Sequence, residues 1–188
     1  MAPPPPSQRP IFLIGLPGVG KSTIARHLAK LVGLPCHSLD EALGTHVGAT
    51  PRDYFQTQGE TAFRQAETAV LARLAAAGAA VIDCGGGVVK TPANLEIMRR
   101  TGHVVWLRAT VETMLQRLRS SHARVALGDS ATAEKVSALL ASREPLYHQA
   151  ATLIIATDGK TPAATAAEIR RALRGDRRHR VPGHRARE

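Results

Sequence analysis

The stretch "GLPGVGKST", from Gly15 to Thr23, constrains this chain more than any other. It matches G-x-x-x-x-G-K-[ST], directly after the short apolar run "IFLI" at Ile11 to Ile14 and directly before a helical pattern. A glycine-rich turn between strand and helix lets consecutive N–H groups point into one concavity, and the helix that follows adds about half a positive charge at its amino end. Such a loop holds phosphates. Gly18, Val19, Gly20, Lys21, Ser22 and Thr23 are the expected ATP-binding segment, with Lys21 a mobile cation for the β- and γ-phosphates and the Ser22 hydroxyl a ligand for Mg²⁺. A turn that merely caps a helix needs no lysine at that spacing.

The rest of the chain alternates. Strand-length apolar runs occur at Ile11 to Ile14, Ala79 to Ile82, Val104 to Leu107 and Leu153 to Ile155, with a weaker one at Leu34 to His37. Longer helical patterns lie between them. Thr50-Pro51, Thr91-Pro92 and Thr161-Pro162 each place a capping hydroxyl before a proline at the first helical position. Strand and helix in alternation predict an α/β fold, a parallel sheet wrapped by helices on both faces. Ligands of such sheets bind at the carboxyl ends of the strands. With 44% hydrophobic but only 3% aromatic residues, the core must be aliphatic.

The formal charge of +10 suggests nucleic acid until it is located. From Arg170 onward the chain carries a net +6, leaving +4 on the first 169 residues. Residues 174–188 have glycine, proline and no apolar period, which predicts a basic disordered tail, and no aromatics interleave the arginines as a single-strand binding surface requires. Residues 1–10 predict a proline-stiffened lead-in, leaving 11–173 as one domain of ordinary size. No stretch reads as a secretory signal or membrane span, so the expectation is a cytoplasmic protein, monomeric, with neither nucleic-acid nor membrane partners. Cys36 and Cys84 match no metal or redox spacing and read as reduced, buried thiols.

A phosphate-binding loop identifies a nucleotide, not a reaction; a second site must identify the acceptor. Candidates are Asp40 after the second expected strand, Arg64 of "GETAFR" near the start of a long helix, Gly85 to Gly87 after the third strand, and Arg143 of "REPLY". Taken in order with "GLPGVGKST" and Arg124, these features, spread from about Ile11 to Leu173, resemble the shikimate kinase family.

The resemblance implies a P-loop NTPase fold with a five-stranded parallel sheet of order 2-3-1-4-5, and ATP-dependent phosphorylation of the 3-hydroxyl of shikimate. It implies that Arg64 and Arg143 clamp the substrate carboxylate through paired hydrogen bonds. Asp40 would accept from the ring hydroxyls and take the proton of the attacking one, and Gly86 would present its N–H with no side chain to hold the substrate away. A mobile lid corresponds to about Ser120 to Asp129, with Arg124 reaching the γ-phosphate; Arg117 packs on adenine and Lys160 lies near the nucleotide. Lys21, Asp40 and Arg124 are thus the expected catalytic residues. Tyr54, Phe55 and Phe63 either wall the site or belong to the core, and Asp40 by spacing alone also fits a helix cap.

Two departures stand out. The family usually reads Asp-x-Asp after the second strand, its first aspartate helping to hold Mg²⁺ through water; this chain reads Ser38-Leu39-Asp40. A unit charge about 4 Å from another contributes on the order of 4 kcal/mol at an effective dielectric of 20, before desolvation. The lid reads "RVAL" in place of Arg-Pro-Leu-Leu. Against the first loss, "AAVID" is an apolar strand ending in Asp83, the Walker B pattern, where the family usually has a small uncharged residue. Asp83 is either a replacement metal ligand or a buried aspartate tied to a neighbouring hydroxyl or N–H. Beside shikimate kinase, two alternatives stay open: a kinase for another small hydroxy acid such as gluconate, and a catalytically weak ligand-sensing module.

Overall fold

A computed structural model describes residues 9–120 and 132–175, at 119 and 120 by their backbone alone. The chain runs β1 (Ile11–Ile14), α1 (Lys21–Val32), β2 (Cys36–Ser38), α2 (Leu39–Val47), α3 (Pro51–Ala76), β3 (Val81–Asp83), a 3-10 turn (Val88–Lys90), α4 (Pro92–Thr101), β4 (His103–Arg108), α5 (Val111–Ser120), α6 (Ala133–Ala150), β5 (Leu153–Ala156) and α7 (Pro162–Arg174). All strand pairings are parallel, in the expected order β2-β3-β1-β4-β5.

That order dictates where the helices lie. The connection from β1 to β2 travels one way along the sheet and every later connection travels back, so right-handed crossovers place α1 on one face and α3, α4 and the α5–α6 pair on the other. The observed packing agrees: α1 packs on α7, and α4 on α3 and α6. A sheet covered on both faces needs strands apolar on both sides. β1 is buried at every position, as are Val104, Val105, Trp106 and Leu107 of β4. Each such side chain contributes about 1.5–3 kcal/mol relative to exposure.

Strand boundaries depart from the sequence pattern where local hydrogen bonds intervene. Leu34, expected in β2, is drawn into the end of α1: Gly33 is left-handed there and the Leu34 N–H donates back to the Ala29 carbonyl. β2 begins only at Cys36, which lies on an edge strand and is exposed, not buried as expected; Cys84 is buried. β3 begins at Val81, two residues after the expected start, although the Ala80 carbonyl still accepts from Ile11 N–H at 2.8 Å; it extends through Asp83, which is therefore a strand residue. Thr50 and Thr161 cap α3 and α7 through their hydroxyls, as expected. Thr91 does not; α4 starts from its backbone carbonyl, which accepts from Asn94 N–H.

The long α3 is two helical pieces joined at Gly59, whose φ of 80° and ψ of 173° break the helix. Glycine tolerates that φ at no steric cost. Arg64 thus belongs to a second piece that starts beside it. At the other end of the sheet, Gly102 allows close approach: a Cβ there would lie 2.2 Å from the Pro10 carbonyl oxygen and 2.7 Å from the Phe12 ring. Gly102→Ala is expected to destabilise the fold by about 1–3 kcal/mol, because two backbones and a buried ring must separate. The denaturant midpoint would fall with the slope unchanged.

Residues 1–8 of the lead-in, the expected lid from residue 121 on, with Arg124, and residues 176–188 of the tail lie outside the described residues; Ser120 ends α5. Among the described residues no helix is long and apolar enough to cross a membrane.

Candidate active site

The carboxyl ends of the strands gather the expected residues into three groups. The first is the phosphate end. Gly20, left-handed at φ 93°, precedes α1, so the helix starts at Lys21 with its free N–H groups directed into the loop. A cavity of about 520 Å³ opens there, lined by residues 17–24, Arg117, Thr157 and Lys160. That volume suits a small-molecule ligand. Lys21 Nζ donates to the Leu16 carbonyl at 3.1 Å. Burial lowers the pKa of Lys21, and the nearby Asp83 and Asp40 carboxylates oppose that shift.

Arg117, expected on adenine, lines this cavity and also ties it together. Its NH1 donates to the Val19 carbonyl at 3.0 Å and to Thr157 Oγ1 at 2.8 Å; its NH2 donates to the Thr157 carbonyl at 2.7 Å. The loop after β1 is thereby joined to the turn after β5. Lys160 lines the same cavity and pairs with Glu168 at 2.7 Å.

The second group is a carboxylate pair. Ser38, not Asp40, caps α2: its hydroxyl accepts from Glu41 N–H at 3.2 Å. Asp40 is therefore spared for other contacts, and a Cβ on Gly85 would lie 2.9 Å from its Oδ1. Asp83, at the end of β3, faces Ser38 across the β2–β3 pairing and Leu13 across β3–β1. The Ser22 hydroxyl donates to it. Burial raises the Asp83 pKa, offset by the Ser22 hydrogen bond and Lys21. Asp40 reaches solvent, yet the cleft walls around it desolvate it enough to raise its pKa; the Asp83 charge adds to the rise and Lys21 opposes it.

The third group surrounds the glycine triplet, where every glycine has a different neighbour. Gly85 faces Asp40; a Cβ on Gly86 would lie 3.3 Å from Pro17 and one on Gly87 3.1 Å from the Arg64 guanidinium. The Gly86 carbonyl accepts from Tyr147 OH at 2.7 Å and Arg143 NH1 at 3.3 Å, and the Gly87 carbonyl from Arg64 NH1 at 3.4 Å. Two arginines more than 75 residues apart in sequence thus converge on adjacent peptides. Glu67 anchors Arg64 NH1 at 2.9 Å and is itself held by Asn94, whose amide also donates to the Val88 carbonyl at 3.0 Å. Phe63 lies under the Arg64 guanidinium, 5.0 Å from ring centroid to Cζ, with the exposed Phe55 edge-on to it. Phe63 is half-buried against the core and also forms a wall beside Arg64.

This geometry agrees with the comparisons to known proteins. The shikimate kinase family model matches residues 17–174. The shikimate kinase of Symbiobacterium thermophilum is 40% identical over 171 residues, covering 89% of this chain and 98% of that one; the shikimate kinase of Halorhodospira halophila is 38% identical over 165 residues, covering 88% and 93%. The chain belongs to the shikimate kinase family. Among solved structures, shikimate kinase from Acinetobacter baumannii in complex with shikimate superposes with a TM-score of 0.82 at 34% identity, covering 90% of this chain and 94% of that one. A gluconokinase from Sinorhizobium meliloti 1021, at 14% identity and a TM-score of 0.59, covers 89% and 92% and shares the fold.

Within this shikimate kinase family member, three structural partners escaped the sequence reading. Glu67 and Tyr147 stand three and four residues after the arginines they accompany, a helical spacing that brings side chains onto one face. That signal was available. Tyr147 is also fully buried and stacked on Trp106, with ring centroids 5.6 Å apart. Asn94 gave no signal, because its partners lie on α3 and in the 3-10 turn.

Proposed function

We infer that this protein transfers the γ-phosphoryl group of ATP to the 3-hydroxyl of shikimate, giving shikimate 3-phosphate and ADP. The observation that carries the reading is the convergence of Asp40, Arg64 and Arg143 on one glycine triplet beside the Lys21 loop. An acceptor with one carboxylate and several hydroxyls requires that pairing: guanidinium groups at one end, a hydroxyl acceptor at the other.

The residues then divide the work. Residues 18–23 cradle the phosphates, and Lys21 neutralises charge on the transferring group. Arg117 and Lys160 border the nucleotide cavity, and Arg124, outside the described residues, is the proposed γ-phosphate contact of the lid. Arg64 and Arg143 hold the substrate carboxylate, and Gly86 lets the substrate approach the backbone. Asp40 accepts the proton of the 3-hydroxyl as its oxygen bonds to the γ-phosphorus and the bond to the β,γ-bridging oxygen breaks. The oxygen donors Ser22 and Asp83, hydrogen-bonded to each other beside Lys21, fit Mg²⁺. When bound with the nucleotide, Mg²⁺ neutralises charge developing on the β- and γ-oxygens. The reading includes a cytoplasmic, monomeric enzyme with no nucleic-acid or membrane partner.

A coupled ADP-release assay with ATP and Mg²⁺, comparing shikimate, gluconate and no acceptor, tests it. ADP release is expected with shikimate alone; gluconate-dependent release, or shikimate binding without turnover, would favour the alternatives. Within this assay Arg143→Ala is expected to raise the KM for shikimate roughly 10- to 150-fold, the loss of about 1.5–3 kcal/mol from a charged hydrogen bond. The KM for ATP should not change, because Arg143 contacts the glycine triplet and not the nucleotide cavity.

A further inference from the structure

Mg²⁺ takes six oxygens, keeps several waters and is held by one or two carboxylates with substrate phosphates, not by an all-protein cage. Two carboxylates are electrostatically coupled to Lys21, and they face different ways. Asp83 accepts from Ser22, the residue after the phosphate-binding lysine. Asp40 abuts Gly85, in the triplet to which Arg64 and Arg143 also reach. Asp83 therefore stands on the nucleotide side and Asp40 on the acceptor side.

The end of β2 contributes no charge beside them. Ser38 is the residue paired with Asp83 across the parallel register, and its hydroxyl is engaged by Glu41 N–H. Adjacent strands lie about 4.8 Å apart. Exchanging serine and aspartate between these two positions moves a carboxylate by one strand spacing at the same sheet end, a distance that one bridging water spans.

We propose that Asp83, acting with Ser22, is the carboxylate that holds nucleotide-bound Mg²⁺ in this chain, and that positions 38 and 83 are exchangeable seats for it. The proposal rests on the nucleotide half of the kinase reading above. Single occupancy follows from charge: a second carboxylate at position 38, paired with Asp83 across the parallel register, would place two like charges one strand spacing apart. The exchange leaves α2 intact, since aspartate caps a helix as well as serine does.

The test is calorimetric binding of ADP to the full chain over a range of Mg²⁺ concentrations, with no acceptor present. The wild type should bind ADP more tightly as Mg²⁺ rises. Asp83→Asn should raise the Mg²⁺ concentration needed for half of that gain by about 10- to 100-fold. Asp83→Ser should behave alike, and Ser38→Asp combined with Asp83→Ser should return the Mg²⁺ response to the wild-type range. An unchanged response in Asp83→Asn overturns the proposal. If a single variant fails to bind ADP even without metal, the double variant decides: recovered ADP binding with a wild-type Mg²⁺ response supports the exchange, and anything less overturns it. A wild type whose ADP affinity ignores Mg²⁺ also overturns it. Because no acceptor is used, failure of the shikimate assay leaves this result standing, and the reverse holds equally.

Discussion

Asp40→Asn is expected to lower kcat for shikimate phosphorylation by about 10²- to 10⁴-fold, the range for removing a positioned general base. The substitution keeps the shape of the side chain and the cap of α2, which belongs to Ser38. It removes the negative charge and with it the ability to take the proton. The pH dependence provides a second reading. The Asp40 pKa is raised above its ordinary 3.8 by the surrounding cleft and by Asp83. The base works only when ionised, so the acid limb of kcat/KM should begin at higher pH than an unperturbed aspartate would give, and this contribution should vanish in the variant. The sign for folding is opposite. A carboxyl whose pKa is raised in the folded state binds protons more tightly there than in the unfolded chain; its cost is present in full above the folded pKa and relieved as pH falls toward 3.8. The asparagine variant should therefore be at least as stable as the wild type at neutral pH. A loss of stability there would show that Asp40 holds the fold and would remove the basis for assigning the rate loss to chemistry.

Lys21→Met is expected to cost about 10²- to 10³-fold in kcat, or roughly 2.7–4 kcal/mol, the loss of one preorganised charge aimed at the transferring group. Methionine preserves most of the packing and removes a burial penalty, since burial already lowers the Lys21 pKa. It also deprives Asp40 and Asp83 of the cation that opposes their upward shifts. The acid limb of the residual activity should accordingly move further up in pH. Single-turnover measurements against pH would reveal both effects, and a variant that retained wild-type kcat would exclude Lys21 from the transition state.

These two residues also show how far the sequence could be read. Lys21 was legible because its role depends on local order: strand, glycine loop, lysine and helix are consecutive, and the geometry of a helix start follows from neighbours in the chain. Asp40 was only half legible. Its position after a strand admitted both a capping and a catalytic role, and the structure separates them through the Ser38 hydrogen bond to Glu41. Arg117 was placed near the nucleotide, but not as the link between Val19 and Thr157, because that contact spans 98 residues of sequence on one side and 40 on the other. The glycine triplet was read as room for substrate; the structure adds that its carbonyls also receive Arg64, Arg143 and Tyr147.

The parallel α/β alternation, the phosphate-binding loop and the ordered set of residues that marks the shikimate kinase family are all written in the sequence. Those features are carried by periodicity, by short motifs and by spacing, all of which are local. Which groups meet depends on the folded arrangement. Strand register sets Asp83 opposite Ser38, and the crossovers bring α3 and α6 to one triplet of peptides. Such pairings arise because distant segments must bury their apolar faces against the same sheet, and a one-residue shift in any strand would change every partner without altering a single local pattern.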